Sequence, residues 1–290
     1  NTTIDSVQID PQSNQLLIAC EGNFQYGNAS LSRVDLDSNS IQNNLFYKAN
    51  NMAIGDVFQS MFLMRDTLIC VLNNSNQIKL LNANTFTEIG SIDQVSSPRY
   101  VEQSSSNTIL VTSIYGNRIV EIDLRTLKVI KETIVEGWTE KIYRIRNTYY
   151  VCNLDSNQVV LLNQEKQRVQ SLELGFTPTY SDTNNHLIAV AGALDNENYV
   201  SIIDTKNLQI VTQKVGQVSG VAIDDLGVYI LNQHSVDVYN HALTNHIKLF
   251  DHHAITPYGF ALEKNQDWFF ITDASDYISN GRVLGYNRKG

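Results

Sequence analysis

The stretch that decides the fold is PRYVEQSSSNTILVTSIYGNRIVEIDLRTLKVIKETI, residues 98–134. It reads as four short strands, PRYVEQ (98–103), NTILVTS (107–113), NRIVEID (117–123) and LKVIKETI (127–134), separated by polar turns. The second and third runs are apolar on both sides of the pleat, which is the pattern of strands covered on both faces. Asp123 and Thr126 stand in the last turn, where short oxygen-bearing side chains bond the turn backbone. Pro98 opens the first strand, as Pro178 and Pro257 open theirs, and proline there sets the chain direction without removing a ladder donor.

The same unit recurs along the chain. Apolar strands ending in Asp or Asn occur in LSRVDLDSNSI, IKLLNANTFTEI, RIVEIDLRTLKVI, VVLLNQEKQRV, VSIIDTKNLQI, VDVYNHALTNHI and RVLGYNRKG. Their anchors are Asp35, Asn82, Asp123, Asn163, Asp204, Asn240 and Asn287, at intervals of 47, 41, 40, 41, 36 and 47 residues. A period near forty built from short strands predicts an all-β fold, a seven-bladed β-propeller with mostly four-stranded antiparallel blades. The blades fall near residues 1–50, 51–94, 95–135, 136–175, 176–215, 216–252 and 253–290, in a single domain spanning 1–290. The irregular intervals locate insertions in loops. The first unit has four strand-like runs, IDSVQID, QLLIACE, SLSRVDL and IQNNLFY, whereas the last has YGFALEK, DWFFITD and GRVLGYN and then stops. The last blade is expected to have three strands, the alternative being that the N-terminal segment completes it.

Composition narrows the function classes. Thirty acidic against 21 basic residues give a net charge of −9, and the basic residues are scattered, so nucleic acid is not an expected partner. No apolar run approaches a membrane span, so the domain itself is not expected to insert in a bilayer. The opening NTTIDSVQID reads as a trimmed mature start. Cys20, Cys70 and Cys152 lie in apolar runs with no CxxC spacing, and read as buried thiols rather than zinc ligands.

The repeats resemble the YVTN-type propellers, and more closely the propellers of Bacteroidetes cell-surface lipoproteins. The resemblance runs over essentially the whole chain. It is carried by ACEGNFQYGNASLSRVDLDS, VLNNSNQIKLLNANT, GWTEKIY and ITDASDYISNGRVLGYN, with the Glu-Gly-Asn step at 21–23 and the Asp-Ala-x-Asp-Tyr step at 273–277 its most specific marks. It implies an exported binding protein at the outer-membrane surface or in the periplasm, anchored through a removed N-terminal lipid signal. Some relatives work beside TonB-dependent transporters, and the best understood capture cobalamin or related corrinoids.

Loops entering innermost strands share one propeller face with the loops joining second to third strands. The entering segments carry Asp56, Arg99, Tyr100, Trp138, Glu140, Tyr180 and Tyr258 to that mouth. The second-to-third loops add Phe24, Tyr26, Tyr115, Tyr199, Asp276 and Tyr277. Aromatic faces bury much area at little entropic cost and a few polar groups orient what they hold, so this set is the candidate site for a small-molecule ligand. Rings packing on one another is the bland reading of each tyrosine taken singly. Of the two tryptophans, Trp268 in QDWFFITD reads as core, whereas Trp138 in VEGWTEKIY, after a glycine and before polar residues, reads as presented at the rim.

Catalysis finds little support. No GxSxG, HExxH or phosphate-loop step is present. His234, His241, His246, His252 and His253 cluster in sequence but divide among a loop, a turn and an outer strand, and read as surface residues with His186. LDNENY and DASDY match no calcium-loop pattern, and Asp224 and Asp225 read as turn residues. No catalytic residue, metal or cofactor is expected. The expected function is a monomeric, non-enzymatic surface protein that captures a small molecule, corrinoid-like or another nutrient, for an outer-membrane transporter. The alternatives are a scaffold docking a surface receptor, or a metal-dependent propeller lyase or lactonase.

Overall fold

The computed structural model describes residues 4–10, 14–264, 267–277 and 280–288, the first segment as backbone alone. Its seven sheets are the blades of an all-β propeller, six with four strands and the last with three. Blade 1 holds Ile4–Asp10, Gln15–Cys20, Ser30–Asp35 and Ser40–Gln42; blade 2 holds Phe58–Met64, Thr67–Leu72, Gln77–Asn82 and Glu88–Ile92. Blade 3 holds Pro98–Gln103, Thr108–Ser113, Arg118–Asp123 and Lys128–Ile134; blade 4 holds Thr139–Ile145, Thr148–Asn153, Gln158–Leu162 and Arg168–Glu173. Blade 5 holds Thr177–Asn184, Leu187–Leu194, Glu197–Asp204 and Gln209–Val215; blade 6 holds Gly220–Ile223, Val228–Leu231, Ser235–Tyr239 and His246–Asp251. Blade 7 ends after Pro257–Glu263, Trp268–Asp273 and Arg282–Asn287, the three strands the sequence predicts. Two compact units divide the chain, Asn1–Ile142 with Tyr277–Gly281 and Tyr143–Asp276 with Arg282–Gly290.

Six of the repeat anchors, from Asp35 to Asn240, are Asp or Asn because each closes the turn between third and fourth strands with its side chain. Asn82 Oδ1 accepts the N–H groups of Asn84 and Thr85 at 3.0 Å, Asp123 Oδ1 that of Arg125 at 2.8 Å, and Asp204 Oδ1 that of Lys206 at 2.9 Å. Four residues past these anchors, Phe86, Leu127 and Leu208 adopt left-handed φ of 59°, 57° and 61°. Such a conformation is unfavourable for a bulky side chain. It is offset because each of these side chains turns back onto the preceding blade: Phe86 among Leu31 and Leu68, Leu127 beside Ile69 and Ile109, Leu208 against Cys152 and Ile188.

Apolar side chains from both faces of the middle strands fill the spaces between blades. In the first unit, Leu17, Ala19, Leu68 and Cys70 join blades 1 and 2, and Ile69, Val71, Ile109 and Val111 join blades 2 and 3. In the second unit, Ala189, Val200, Val221 and Ile230 join blades 5 and 6. Each fully buried Leu, Ile or Val contributes about 1.5–3 kcal/mol relative to exposure. The three cysteines are free and buried, as their apolar runs predict, and burial pushes the Cys70 thiol far above its ordinary range.

Two expectations are corrected. IQNNLFY is not one strand: the fourth strand of blade 1 stops at Gln42, and Leu45–Asn50 form a helix whose Leu45 and Phe46 seal the space between blades 1 and 2. Asn50 locks it there, donating to the Phe86 carbonyl at 2.9 Å and accepting from Glu88 N–H at 2.8 Å. This insertion accounts for the long first interval. Trp268 is not core. It is 36% exposed, on a strand whose neighbour Gly285 leaves it uncovered, with its ring stacked along Phe270.

Candidate functional site

At blades 3, 4 and 5 the residues entering the innermost strand are tied to the turn that joins the second and third strands of the preceding blade. Asn76 and Asn117 sit in such turns at left-handed φ of 51° and 48°, where Asn is tolerated. Their side-chain oxygens accept from Ser97 N–H at 2.7 Å and Gly137 N–H at 2.9 Å, the entries to blades 3 and 4. In the second unit, Asn157 accepts from the Thr177 hydroxyl at the entry to blade 5, at 2.9 Å. The sequence signs of this latch are S-N-Q at 75–77, G-N-R at 116–118 and S-N-Q at 156–158.

Beyond the latch, five innermost strands slip register near their start, at Ile4/Ser6, Phe58/Ser60, Pro98–Val101, Thr177/Tyr180 and Pro257/Gly259. A bulge re-aims the side chain it carries. Gln59, Arg99 with Tyr100, Thr179 and Tyr258 are the residues so placed. The freed N–H groups are satisfied from within: Tyr100 N–H donates to Thr112 Oγ1 at 3.0 Å and Gly259 N–H to Thr272 Oγ1 at 2.7 Å. In blade 5 the equivalent position is Gly192, where a Cβ would lie 1.8 Å from the Thr177 carbonyl oxygen.

In the first unit these positions form a bonded row. Arg99 Nε and Nη2 lie 2.8 and 2.6 Å from Glu140 Oε1, which also accepts the Trp138 indole N–H at 2.6 Å. Arg99 Nη1 donates to Gln59 Oε1, and the guanidinium lies 5.6 Å from the centre of the Trp138 ring. Lys141 Nζ is 6.0 Å from the Tyr100 ring. Glu140 is only 5% exposed, and burial pushes its carboxyl above the usual range, with Arg99 and Trp138 pulling the other way. Trp138 is half-buried with its N–H turned inward, so the ring expected at the rim is a partner of Arg99 and Glu140 rather than a freely presented surface.

Asp56 occupies a different place. Its Oδ2 accepts the Gln25 backbone N–H at 2.8 Å and the Asn74 amide at 2.5 Å, and its own N–H donates to Ser75 Oγ at 2.8 Å. It therefore clamps the loop between the second and third strands of blade 1. Gln25, at φ 69°, forms the tip of that loop, with Phe24 and Tyr26 on either side. Phe24, Tyr26, Tyr115 and Tyr277 are 54–78% exposed, and all four lie on loops joining second to third strands. Among the described residues six aromatic side chains are exposed to this degree or near it, and Tyr47 and Trp268 alone lie elsewhere.

The remaining candidates divide. Asp276 is exposed beside Tyr277, while Ile278 and Ser279 of the same loop lie outside the described residues. Tyr199 stacks on Phe176 at 5.7 Å and donates to Glu197 at 2.8 Å, Tyr180 packs against the apolar cluster of blades 5 and 6, and Tyr258 is half-buried. Sequence reading missed Gln59 and Asn74; Gln59 stands 40 residues before Arg99, so aligning the repeats position by position finds it. The histidines are not all on the surface. His252 is buried, with Nε2 3.0 Å from the Asn232 carbonyl and Nδ1 accepting Ala254 N–H at 3.2 Å. Among the described residues no three His, Cys, Asp or Glu side chains come together as a metal site requires.

A family model described as "Domain of unknown function (DUF5074)" matches residues 14–183. No curated protein matches the chain in sequence. Among solved structures, the WD40 domain of Neurospora crassa Pan2 is similar at a TM-score of 0.75 and 15% identity, over 98% of this chain and 89% of that one. The extracellular domain of the putative hybrid two component system BT4673 from B. thetaiotaomicron is similar at 0.73 and 9%, over 99% of this chain and 40% of that one. BamB from Moraxella catarrhalis is similar at 0.62 and 12%, over 93% and 82%. Likeness at such identities shows the fold alone.

Proposed function

The chain belongs to the DUF5074 family, and on that premise we propose that it is a non-enzymatic binding protein that captures a small molecule on the loops joining second to third strands. The observation that carries the reading is the exposure of Phe24, Tyr26, Tyr115 and Tyr277 on those loops, in a protein whose other rings are largely packed away. Exposed rings cost hydration free energy that a flat or partly apolar ligand recovers. Asp276 is a polar, exposed residue next to Tyr277 in the chain. The Arg99–Glu140–Trp138 row stiffens the strands behind.

The resemblance to YVTN-type propellers of Bacteroidetes lipoproteins supports an exported protein at the outer-membrane surface. The ligand on that reading is a corrinoid or another nutrient, passed to an outer-membrane transporter. No described helix is long and apolar enough to cross a membrane. Calorimetric titration of the purified protein with cobalamin, haem and a glycan panel tests the reading. Heat from one of these, lost in Tyr26→Ala and Tyr115→Ala, is expected. No heat from any, with the fold intact, overturns it.

A second reading, a scaffold that docks a surface receptor, is favoured by the outer strands. Each of the six fourth strands exposes an aliphatic residue: Ile41, Ile89 and Ile130 in the first unit, Val169, Val211 and Ile247 in the second. Receptor capture that survives Tyr26→Ala and Tyr115→Ala but is lost in Ile89→Lys with Ile130→Lys would select it.

A further inference from the structure

Asp56 is 9% exposed, and its two oxygens are treated unequally. Oδ2 takes two donors, the Gln25 N–H and the Asn74 amide. Oδ1 is sealed from solvent and accepts from no protein donor. Among the described residues no lysine or arginine pairs with this carboxylate, unlike buried Glu140, which has Arg99, or Asp224, which has Arg288. A buried charge without a counter-charge is costly, and a carboxylate oxygen without a donor adds to that cost. A group that is both positive and donating would meet both costs at once.

The surroundings narrow it further. The backbone N–H that holds Oδ2 belongs to Gln25, so the clamp on Asp56 also sets the two rings flanking it, Phe24 and Tyr26, at the surface. Phe24 and Tyr26 are the chain neighbours of Gln25 and stand exposed, and aromatic faces attract cations. The oxygen set is too sparse in carboxylates for a hard metal ion, since Asp56 is the one acidic side chain among the hydrogen-bonded groups of the clamp.

We propose that Asp56, with Phe24 and Tyr26, recognises an amine-bearing organic cation, whose ammonium donates to Asp56 Oδ1 while its hydrocarbon lies against the rings. This rests on the reading of the second-to-third loops as a capture surface and names the chemistry of one part of it. The ammonium supplies the counter-charge and donor together. Because Oδ1 is sealed, the ammonium reaches it only if its surroundings give way, and the Gln25 amide bonded to the other carboxylate oxygen would report that.

The test uses phenethylammonium, with 2-phenylethanol as its neutral counterpart, and follows the amide signals of Gln25 and Asn74 by NMR titration. Phenethylammonium is expected to shift both signals saturably, with 2-phenylethanol at least tenfold weaker. Asp56→Asn keeps an oxygen for Gln25 and Asn74 but sets an N–H₂ donor where Oδ1 stood, and is expected to abolish the ammonium response. Should that variant fail to fold, the amine-against-alcohol contrast in the unaltered protein decides alone. Equal binding of amine and alcohol overturns the cation assignment while leaving a capture surface in place. No response to phenethylammonium, in a protein that gives heat with another ligand of the panel, also overturns the assignment and spares the broader reading. A high-resolution structure grown with the amine and showing only water on Oδ1 overturns it as well.

Discussion

Arg99 and Glu140 stand 41 residues apart at the start of consecutive innermost strands, and the guanidinium of one meets a single carboxylate oxygen of the other at 2.6 and 2.8 Å. Both side chains are largely withdrawn from water, so the pair is held by geometry and mutual need rather than by a surface attraction. Removing one partner leaves a buried charge behind. Arg99→Met is expected to destabilise the fold by about 3–5 kcal/mol, and Arg99→Met with Glu140→Gln to recover much of that loss. Urea unfolding of the three proteins measures it. A loss for Arg99→Met of about 1 kcal/mol or less, the range of exposed pairs, would count against the network as described.

The same pair makes a statement about pH. Burial raises the Glu140 carboxyl above its ordinary 4.5, so the folded protein holds that proton at a pH where the unfolded chain has lost it. Its contribution to stability is therefore full below 4.5 and declines as pH rises through the folded value. In Arg99→Met the pull from the guanidinium is gone, so the decline should be deeper and extend to higher pH. Midpoints of urea unfolding between pH 4 and 7, compared for the two proteins, should diverge as pH rises; parallel curves would contradict the assignment.

The two tryptophans should answer differently to a neutral quencher. Trp138 has its N–H on Glu140 and Arg99 over its ring, whereas Trp268 lies on the seventh blade beside Gly285, 36% exposed. Acrylamide should quench Trp138→Phe, which retains Trp268, more steeply than Trp268→Phe. Equal slopes would mean that Trp138 is presented after all.

The architecture was legible because its signals are local. Asp and Asn at a period near forty mark turns whose backbone they bond, and the count of strands in the last blade follows from where the apolar runs stop. Tertiary choices were less legible. LFYKAN carries nothing against a strand until the space between blades 1 and 2 takes Leu45 and Phe46 as a helix face. Trp138 lay between polar residues and so read as presented, because sequence does not show that Arg99 and Glu140 would be carried to it from 39 residues before and two after. Trp268 lay between apolar residues and read as core, yet its strand sits in the blade that lacks a fourth strand.

His252 should make the fold sensitive to mild acid. Its Nδ1 accepts the Ala254 N–H, so Nε2 carries the proton toward the Asn232 carbonyl and the ring is neutral. Protonating Nδ1 destroys that acceptor, and burial depresses the ring below its ordinary 6.5. The unfolded chain then binds the proton first, so stability is full above 6.5 and falls as pH drops from there toward the folded value. Thermal midpoints between pH 7.5 and 5 should fall less in His252→Asn, whose amide oxygen can replace Nδ1 without titrating. An unchanged dependence would exclude His252 as the source.

Leu127 offers a test of the turn that repeats through the fold. It combines a left-handed φ of 57° with a side chain packed in the cluster between blades 2 and 3, where Gly90 leaves room for it. Leu127→Ala keeps the backbone penalty and gives up the packing, so it should cost about 1–2 kcal/mol for the half-buried side chain. Leu127→Gly gives up the same packing but relieves the left-handed strain, worth about 1 kcal/mol. The glycine variant should therefore be the more stable of the two, the reverse of their order in ordinary strands and helices, where glycine is the poorer residue. Equilibrium unfolding of both variants decides. If alanine proves the more stable, the turn is not held in the left-handed region, and the account of Phe86 and Leu208, which share its geometry, falls with it.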